Sequence, residues 1–216
     1  MVVLASGRGG TFSALLDATQ SGALPVEIRA LLTDRRTAPV LQIAEARGVP
    51  VVALRPRDFP DRPSFDRSLF ERVAAFEPQL VVLAGYMRVI DADVAQAWHA
   101  RMINLHPSLL PKYPGLDTYR QVLAAGDATY GASVHYVTPA LDAGPVISRV
   151  ELPVLDGDTE DSLAGRLRPF EQALLVASIA LIAAGRVALG RRDVELDGRS
   201  LVQPLRFEPG SGFAGL

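Results

Sequence analysis

Three polar residues offer the chemistry in this sequence. Asn104 and His106 stand one residue apart at the end of a short apolar run, and Asp142 follows in an Ala-Leu-Asp-Ala-Gly-Pro turn. In a β-strand residues i and i+2 point to the same side, so Asn104 and His106 face one space. Pro107 cannot donate to a ladder and pushes its predecessor toward extended backbone, which sets His106 at a strand end. An amide donor, an imidazole and a carboxylate are the groups needed for attack on a carbonyl with neither a metal nor a covalent intermediate. A lone histidine beside a strand is commonly a packing residue, so the weight rests on the three together.

Such residues need a frame. Residues 2–5 are a continuous apolar run, as in a strand buried on both faces. Ser6-Gly7-Arg8-Gly9-Gly10-Thr11 follows at once, and Phe12, Leu15 and Leu16 then open a helical pattern. A glycine loop between strand and helix is either an anion cradle at a helix N-terminus or a tight structural turn. It is no Walker loop, because Gly-Lys-Ser/Thr is missing, and the third glycine of a dinucleotide fingerprint would fall at Phe12. Further strands are expected at 28–32, 51–54, 80–84 and 101–105, with helices at 40–47, around Phe65 to Phe76, and at 91–98. This alternation implies an α/β fold with a doubly wound, mostly parallel, Rossmann-like sheet. Residues 6–11, 85–90 and 104–106 then all fall at carboxyl ends of strands, where such sheets bind ligands.

Beyond His106 the pattern changes. Residues 108–115 form a proline-bounded loop, and a helix over 118–125 is closed by Gly126. Strands at 132–137 and 146–153 are close enough to pair antiparallel. Alternation places Ser133, His135 and Val137 on one face, making His135 either an additional site member or a histidine lining the sheet. An N-cap within 158–161 opens a long helix through 184. Residues 194–196 and 201–202 flank an Asp197-Gly198 turn as a small hairpin, and 209–216 are expected to be a loose tail.

Composition narrows the function classes. With 216 residues, 49% hydrophobic and 21% charged, the chain suits one soluble globular domain. A net charge of −2 argues against a nucleic-acid surface. The absence of cysteine removes disulfides, thiolate nucleophiles and Cys-ligated metals. His99, His106 and His135 lack ligand-pair spacing, so no metal is expected. No serine stands in a G-x-S-x-G elbow. The apolar start is too short for a signal peptide, and no run approaches a membrane span, so a cytoplasmic location is expected.

The motifs HPSLLPKYPG at 106–115 and GASVHYVTPALDAGPV at 131–146 resemble the 10-formyltetrahydrofolate-dependent formyltransferases, above all the branch that formylates phosphoribosylglycinamide in purine synthesis. That family carries Asn-x-His-Pro-Ser-Leu-Leu-Pro and Asp-x-Gly-Pro, both unaltered here, and the likeness runs from Val2 to about Val202. It implies a catalytic set of Asn104, His106 and Asp142. It further implies a substrate phosphate at Gly9, Gly10 and Thr11, a glycinamide contact at Glu171, and 10-formyltetrahydrofolate as co-substrate. The folate would lie against Arg62, Met87, Arg88, Val89, Ile90, Asn104 and the turn Thr138, Pro139, Ala140, Leu141, Asp142. Residues 1–100 would then be a phosphate-binding half and 101–205 a catalytic and folate-binding half of one domain, monomeric or homodimeric.

The chain departs from its relatives at Gly9-Gly10-Thr11, where they commonly have Gly-Ser-Asn, and at Asp117-Thr118-Tyr119, where they often have His-Thr-His. Related activities remain alternatives: a formyltetrahydrofolate deformylase, which shares GA-x-x-HYVT but normally has an extra N-terminal domain, and a methionyl-tRNA formyltransferase, which needs an RNA-binding extension. A noncatalytic folate- or nucleotide-binding module would not need all three polar residues.

Overall fold

Val, Leu and Ala runs without a polar break can be stable only where both strand faces are covered, and the first half of the chain meets that condition. The computed structural model describes residues 1–191 and 193–216. By its internal contacts it divides into two compact units, Met1–Asn104 and Leu105–Leu216.

The first unit alternates β1 (Val2–Leu4), α1 (Gly10–Gln20), β2 (Ala30–Thr33), α2 (Val40–Ala46), β3 (Val51–Ala53), α3 (Arg62–Ala74), β4 (Val81–Leu83) and α4 (Ala92–Ala97), and it takes in the start of β5 (Met102–His106). All pairings are parallel, in the order β5-β4-β1-β2-β3. The chain thus runs outward from β1 to β3 and then returns to the other side of β1. That reversal creates a topological switch point between β1 and β4, the place where α/β sheets open a ligand crevice. Val2, Val3, Leu4, Leu31, Val81 and Val82 are fully buried, and α1 and α3 bring Phe12, Leu15, Phe65, Leu69 and Val73 into the same core. The expected elements are all present, with boundaries differing by a few residues at most.

The second unit contains α5 (Thr118–Ala125), β6 (Thr129–Tyr136), β7 (Val146–Pro153), α6 (Glu160–Ala183), β8 (Val187–Leu189), β9 (Val194–Leu196), β10 (Arg199–Ser200), β11 (Leu205–Glu208) and β12 (Gly212–Phe213). β6 and β7 pair antiparallel as expected. A register shift between Val134 and His135 breaks the simple alternation, and Val137 falls outside the strand. α6 starts from a capping box in which Thr159 and Ser162 satisfy each other's backbone N–H.

Two expectations need correction. The second strand of the terminal hairpin is Arg199–Ser200, directly after Asp197-Gly198, and not 201–202. The last residues are no loose tail: β11 adds parallel to β7, and β12 folds back on β11 with Phe207 and Phe213 edge to face at 5.5 Å. Packing the half-buried Phe213 against the buried Phe207 gives this short segment the apolar area that its composition hides.

Candidate active site

In the second unit the loop after β5 and the turn after β6 bring His106, His135 and Asp142 together. His106 is the last residue of β5, and Pro107 ends the strand there. Its Nε2 lies 2.9 Å from the Tyr113 carbonyl oxygen and its Nδ1 lies 3.5 Å from Asp142 Oδ2. His135 Nε2 is 3.6 Å from Asp142 Oδ1, while its Nδ1 sits 3.0 Å from the Tyr136 carbonyl oxygen. Asp142 Oδ2 also accepts the Gly115 N–H at 2.9 Å.

The turn that presents Asp142 is fixed by its glycine. A Cβ at Gly144 would lie 1.8 Å from the Tyr136 carbonyl oxygen, so only glycine permits this approach. Asp142 itself has φ 47, a left-handed conformation that Asp tolerates better than most residues. The loop carrying Tyr113 and Gly115 is held in turn by Ser133, whose hydroxyl donates to the Ser108 carbonyl and accepts the Leu110 N–H.

The electrostatics separate the members. Burial pushes His106 below the usual histidine range, against the opposing pull of the Tyr113 carbonyl and Asp142. The carbonyl at Nε2 requires a proton there, so the neutral ring carries its lone pair on Nδ1, toward the carboxylate. A proton arriving at Nδ1 would be stabilised at once by Asp142. Burial alone would raise Asp142, but the contact with His135, the Gly115 N–H and both imidazoles outweigh it and hold the carboxyl below its ordinary value. Asp142 is therefore an anion placed to orient a histidine and to stabilise positive charge on it.

Asn104 lies two residues before His106 on β5 and in register with Leu83 of β4. Glu171 lies in α6, within the second unit, and its Oε1 accepts from the Tyr119 hydroxyl of α5 at 3.4 Å. Burial lifts its carboxyl to about 7, with Tyr119 and Arg168 acting in the opposite direction. In the turn, the Thr138 hydroxyl donates to the Ala140 carbonyl at 3.3 Å, while Pro139, Ala140 and Leu141 are exposed.

In the first unit the glycine loop and the segment after β4 meet at the switch point. The Ser6 N–H donates to the Gly85 carbonyl and the Met87 N–H donates to Ser6 Oγ at 3.0 Å. Gly9, with φ 82, is the N-cap of α1, and neither a side-chain cap nor an acidic first turn serves that helix end. Gly10 and Thr11 are its first residues. Arg88 stacks over Phe65 at 5.1 Å, and Met87 and Val89 are exposed while Ile90 is buried. Arg62 is exposed in the first turn of α3.

Sequence reasoning missed the residues that hold these segments. Asp66, fully buried in α3, accepts the Asp91 N–H at 2.8 Å and so pins the end of the 87–90 segment whose start is held by Ser6. The signal was a carboxylate inside the apolar stripe of Phe65 and Leu69. Tyr113 and Gly115 contribute backbone atoms only, which leave no mark in residue type.

The chain is similar to known proteins over most of its length. Residues 1–179 match the family described as formyl transferase. A phosphoribosylglycinamide formyltransferase of Escherichia coli K12 is 38% identical over 201 residues, covering 93% of this chain and 95% of that protein. The solved phosphoribosylglycinamide formyltransferase of Coxiella burnetii superposes with a TM-score of 0.88 at 40% identity, covering 93% of this chain and 94% of that one. A formyltetrahydrofolate deformylase from Pseudomonas syringae pv. tomato reaches a TM-score of 0.81 at 26% identity, covering 90% of this chain but 65% of that one.

Proposed function

The chain belongs to the formyl transferase family, and from that premise we propose that it moves the formyl group of 10-formyltetrahydrofolate onto the primary amine of phosphoribosylglycinamide in purine synthesis. The amine nitrogen attacks the formyl carbon, and the carbonyl oxygen takes the electron pair. The Asn104 amide N–H donates to that oxyanion, a contribution of about 10² to 10³ in rate for one donor, and His106, once protonated beside Asp142, faces it with the positive charge of an imidazolium. Asp142 orients His106 and accepts the proton released by the amine, directly or through water. The bond from the formyl carbon to the folate nitrogen then breaks, and that nitrogen leaves with a proton as tetrahydrofolate forms.

In this reading Gly9, Gly10 and Thr11 hold the phosphate through backbone donors, and Glu171 receives the glycinamide end. Arg62, Met87, Arg88, Val89, Ile90, Asn104 and residues 138–142 hold the folate. Residues 1–100 serve as the phosphate-binding half of one domain and 101–205 as its catalytic half. The partners are small molecules of the cytoplasm; among the described residues no helix is long and apolar enough to cross a membrane.

The observation that supports the chemistry best is the His106–Asp142 pair at 3.5 Å, with a lowered carboxyl and a histidine whose inner nitrogen faces it. The test is tetrahydrofolate release from 10-formyltetrahydrofolate with and without phosphoribosylglycinamide. Release only when the amine is present supports the transferase. Release without it identifies a hydrolase, and no release in either arm identifies a binding module.

A further inference from the structure

A cavity of about 280 Å³ lies within the second unit, lined in part by the loop that carries Tyr113. Its walls are polar and apolar in about equal measure: Leu110, Val122 and Tyr130 supply an apolar and aromatic side, and the charged lining is Lys112, Asp127 and Arg149. Lys112 Nζ and the Tyr113 hydroxyl both donate to Asp127 Oδ2, at 2.7 and 2.8 Å. Tyr130 donates its hydroxyl to the Leu163 carbonyl, and Ser133, opposite Arg149 across β6 and β7, is already saturated by Ser108 and Leu110. The half-buried Arg149 guanidinium is left with five donors and, among the described residues, no acceptor.

A second observation points the same way. Arg206 of β11 is the register partner of Arg149 on β7, and the alternation of both strands puts the two cations on one face. Like charges side by side on a sheet are unfavourable, and an anion bound at Arg149 would relieve that repulsion. Among the described residues no carboxylate lies at ion-pair distance from either.

We propose that this cavity binds a small monocarboxylate with a flat apolar body and that the occupant addresses His106 through Tyr113. One net positive charge remains in the lining after Lys112 and Asp127 neutralise each other, which matches a monoanion. The volume is just below the usual range for drug-sized ligands, so the occupant is fragment-sized. Tyr113 lines the cavity and its carbonyl lies 2.9 Å from His106 Nε2, so a ligand that moves this residue changes the acceptor that fixes the histidine. The site is separate from the residues assigned to formyl transfer, and binding is measured without turnover, so its failure leaves that reading untouched.

The experiment titrates benzoate, benzyl alcohol and inorganic phosphate into the full chain, followed by NMR with the His106 ring signals assigned. Benzoate is expected to bind saturably and to move the His106 signals with the same half-saturation. Benzyl alcohol, which lacks the charge, and phosphate, which lacks the apolar body, are expected to bind at least tenfold more weakly. Arg149→Gln should weaken benzoate by tenfold or more, the scale of one charge-assisted hydrogen bond. Its melting temperature should be unchanged or raised, since a like-charge neighbour is removed, and Arg149→Lys should bind at intermediate strength. Equal binding of benzyl alcohol or phosphate, undiminished binding by Arg149→Gln, or His106 signals that stay in place at saturating benzoate would each overturn the proposal.

Discussion

Asp142 and Glu171 are both partly buried carboxyl groups of the second unit, and they end in opposite states. Burial raises both, yet Asp142 is held below its ordinary value while Glu171 is lifted to about 7. The difference lies in the neighbours. Asp142 sits between two imidazoles and receives a backbone N–H, whereas Glu171 has one long hydrogen bond from Tyr119 and a weaker pull from Arg168. Burial alone does not set a role; donors within reach do. The group kept charged suits orienting a histidine and stabilising its positive charge, and the group that titrates near neutrality suits recognition of an amine that must itself lose charge before it reacts.

Asp142→Asn tests the charged end and carries the largest expected effect. The amide oxygen can still accept from Gly115, so the turn should hold, but the anion facing His106 is gone. Turnover should fall by about 10³, within the range for general acid–base groups, with the folate Michaelis constant changed far less. Turnover within tenfold of the parent would remove Asp142 from the proton path.

Glu171→Gln tests the other end. We expect the Michaelis constant for phosphoribosylglycinamide to rise about tenfold at pH 8 with kcat nearly unchanged, the scale of one hydrogen bond to a charged group. In the parent that constant should climb as pH falls below about 7; in the variant it should be flat. Stability supplies an independent reading. A folded-state value raised from 4.5 to about 7 means stability that is fully present below pH 4.5 and lost as pH rises toward and through 7, a few kcal/mol in scale. Glu171→Gln should therefore gain stability over the parent at pH 8 relative to pH 4. An unchanged difference in melting temperature between those two pH values would mean that Glu171 is not held neutral.

His135→Gln asks how much of the low Asp142 value comes from its second imidazole. Asp142 contributes stability above its unfolded value, and that contribution is lost as pH falls through the lower folded value. With His135 removed the contribution shrinks, so the parent's advantage should be larger at pH 6 than at pH 3, on the order of 1 kcal/mol. An advantage of equal size at both pH values would show that His135 serves packing only.

The two ends were not equally legible in the sequence. Asn104, His106 and Asp142 were visible because their residue types and motif spacing are specific. The first unit was visible because uninterrupted apolar runs such as Val2–Leu4 admit few other structures. What fixes the Asp142 side is mostly backbone: the Tyr113 carbonyl, the Gly115 N–H and the Gly144 approach to Tyr136 depend on the path of the chain. The early start of β6 was hidden because Gly131 reads as a breaker. The β11–β12 pairing was hidden because Arg206, Pro209 and the glycines around Ser211 dilute Phe207 and Phe213. Glu171 is singled out by resemblance alone, and its neutral tendency depends on burial beside α5 that no local pattern encodes.

Tyr119 gives the smallest expected effect and the sharpest one for this contrast. Its hydroxyl donates to Glu171 Oε1, while Tyr130 and Arg168 complete the charged and titratable surroundings. A donor on the carboxylate favours its charged form, so Tyr119→Phe should push the Glu171 transition further up by less than one unit. The Michaelis constant for phosphoribosylglycinamide at pH 7 should rise about threefold, equivalent to a hydrogen bond of ordinary strength, and at pH 9 it should return to the parent value. Tyr119→His restores a ring N–H donor and should move the inflection back toward the parent. A purely packing role for Tyr119 predicts a loss of melting temperature with the inflection unmoved. In that case the high value of Glu171 would be set by desolvation alone, and the contrast with Asp142 would reduce to burial with and without histidines.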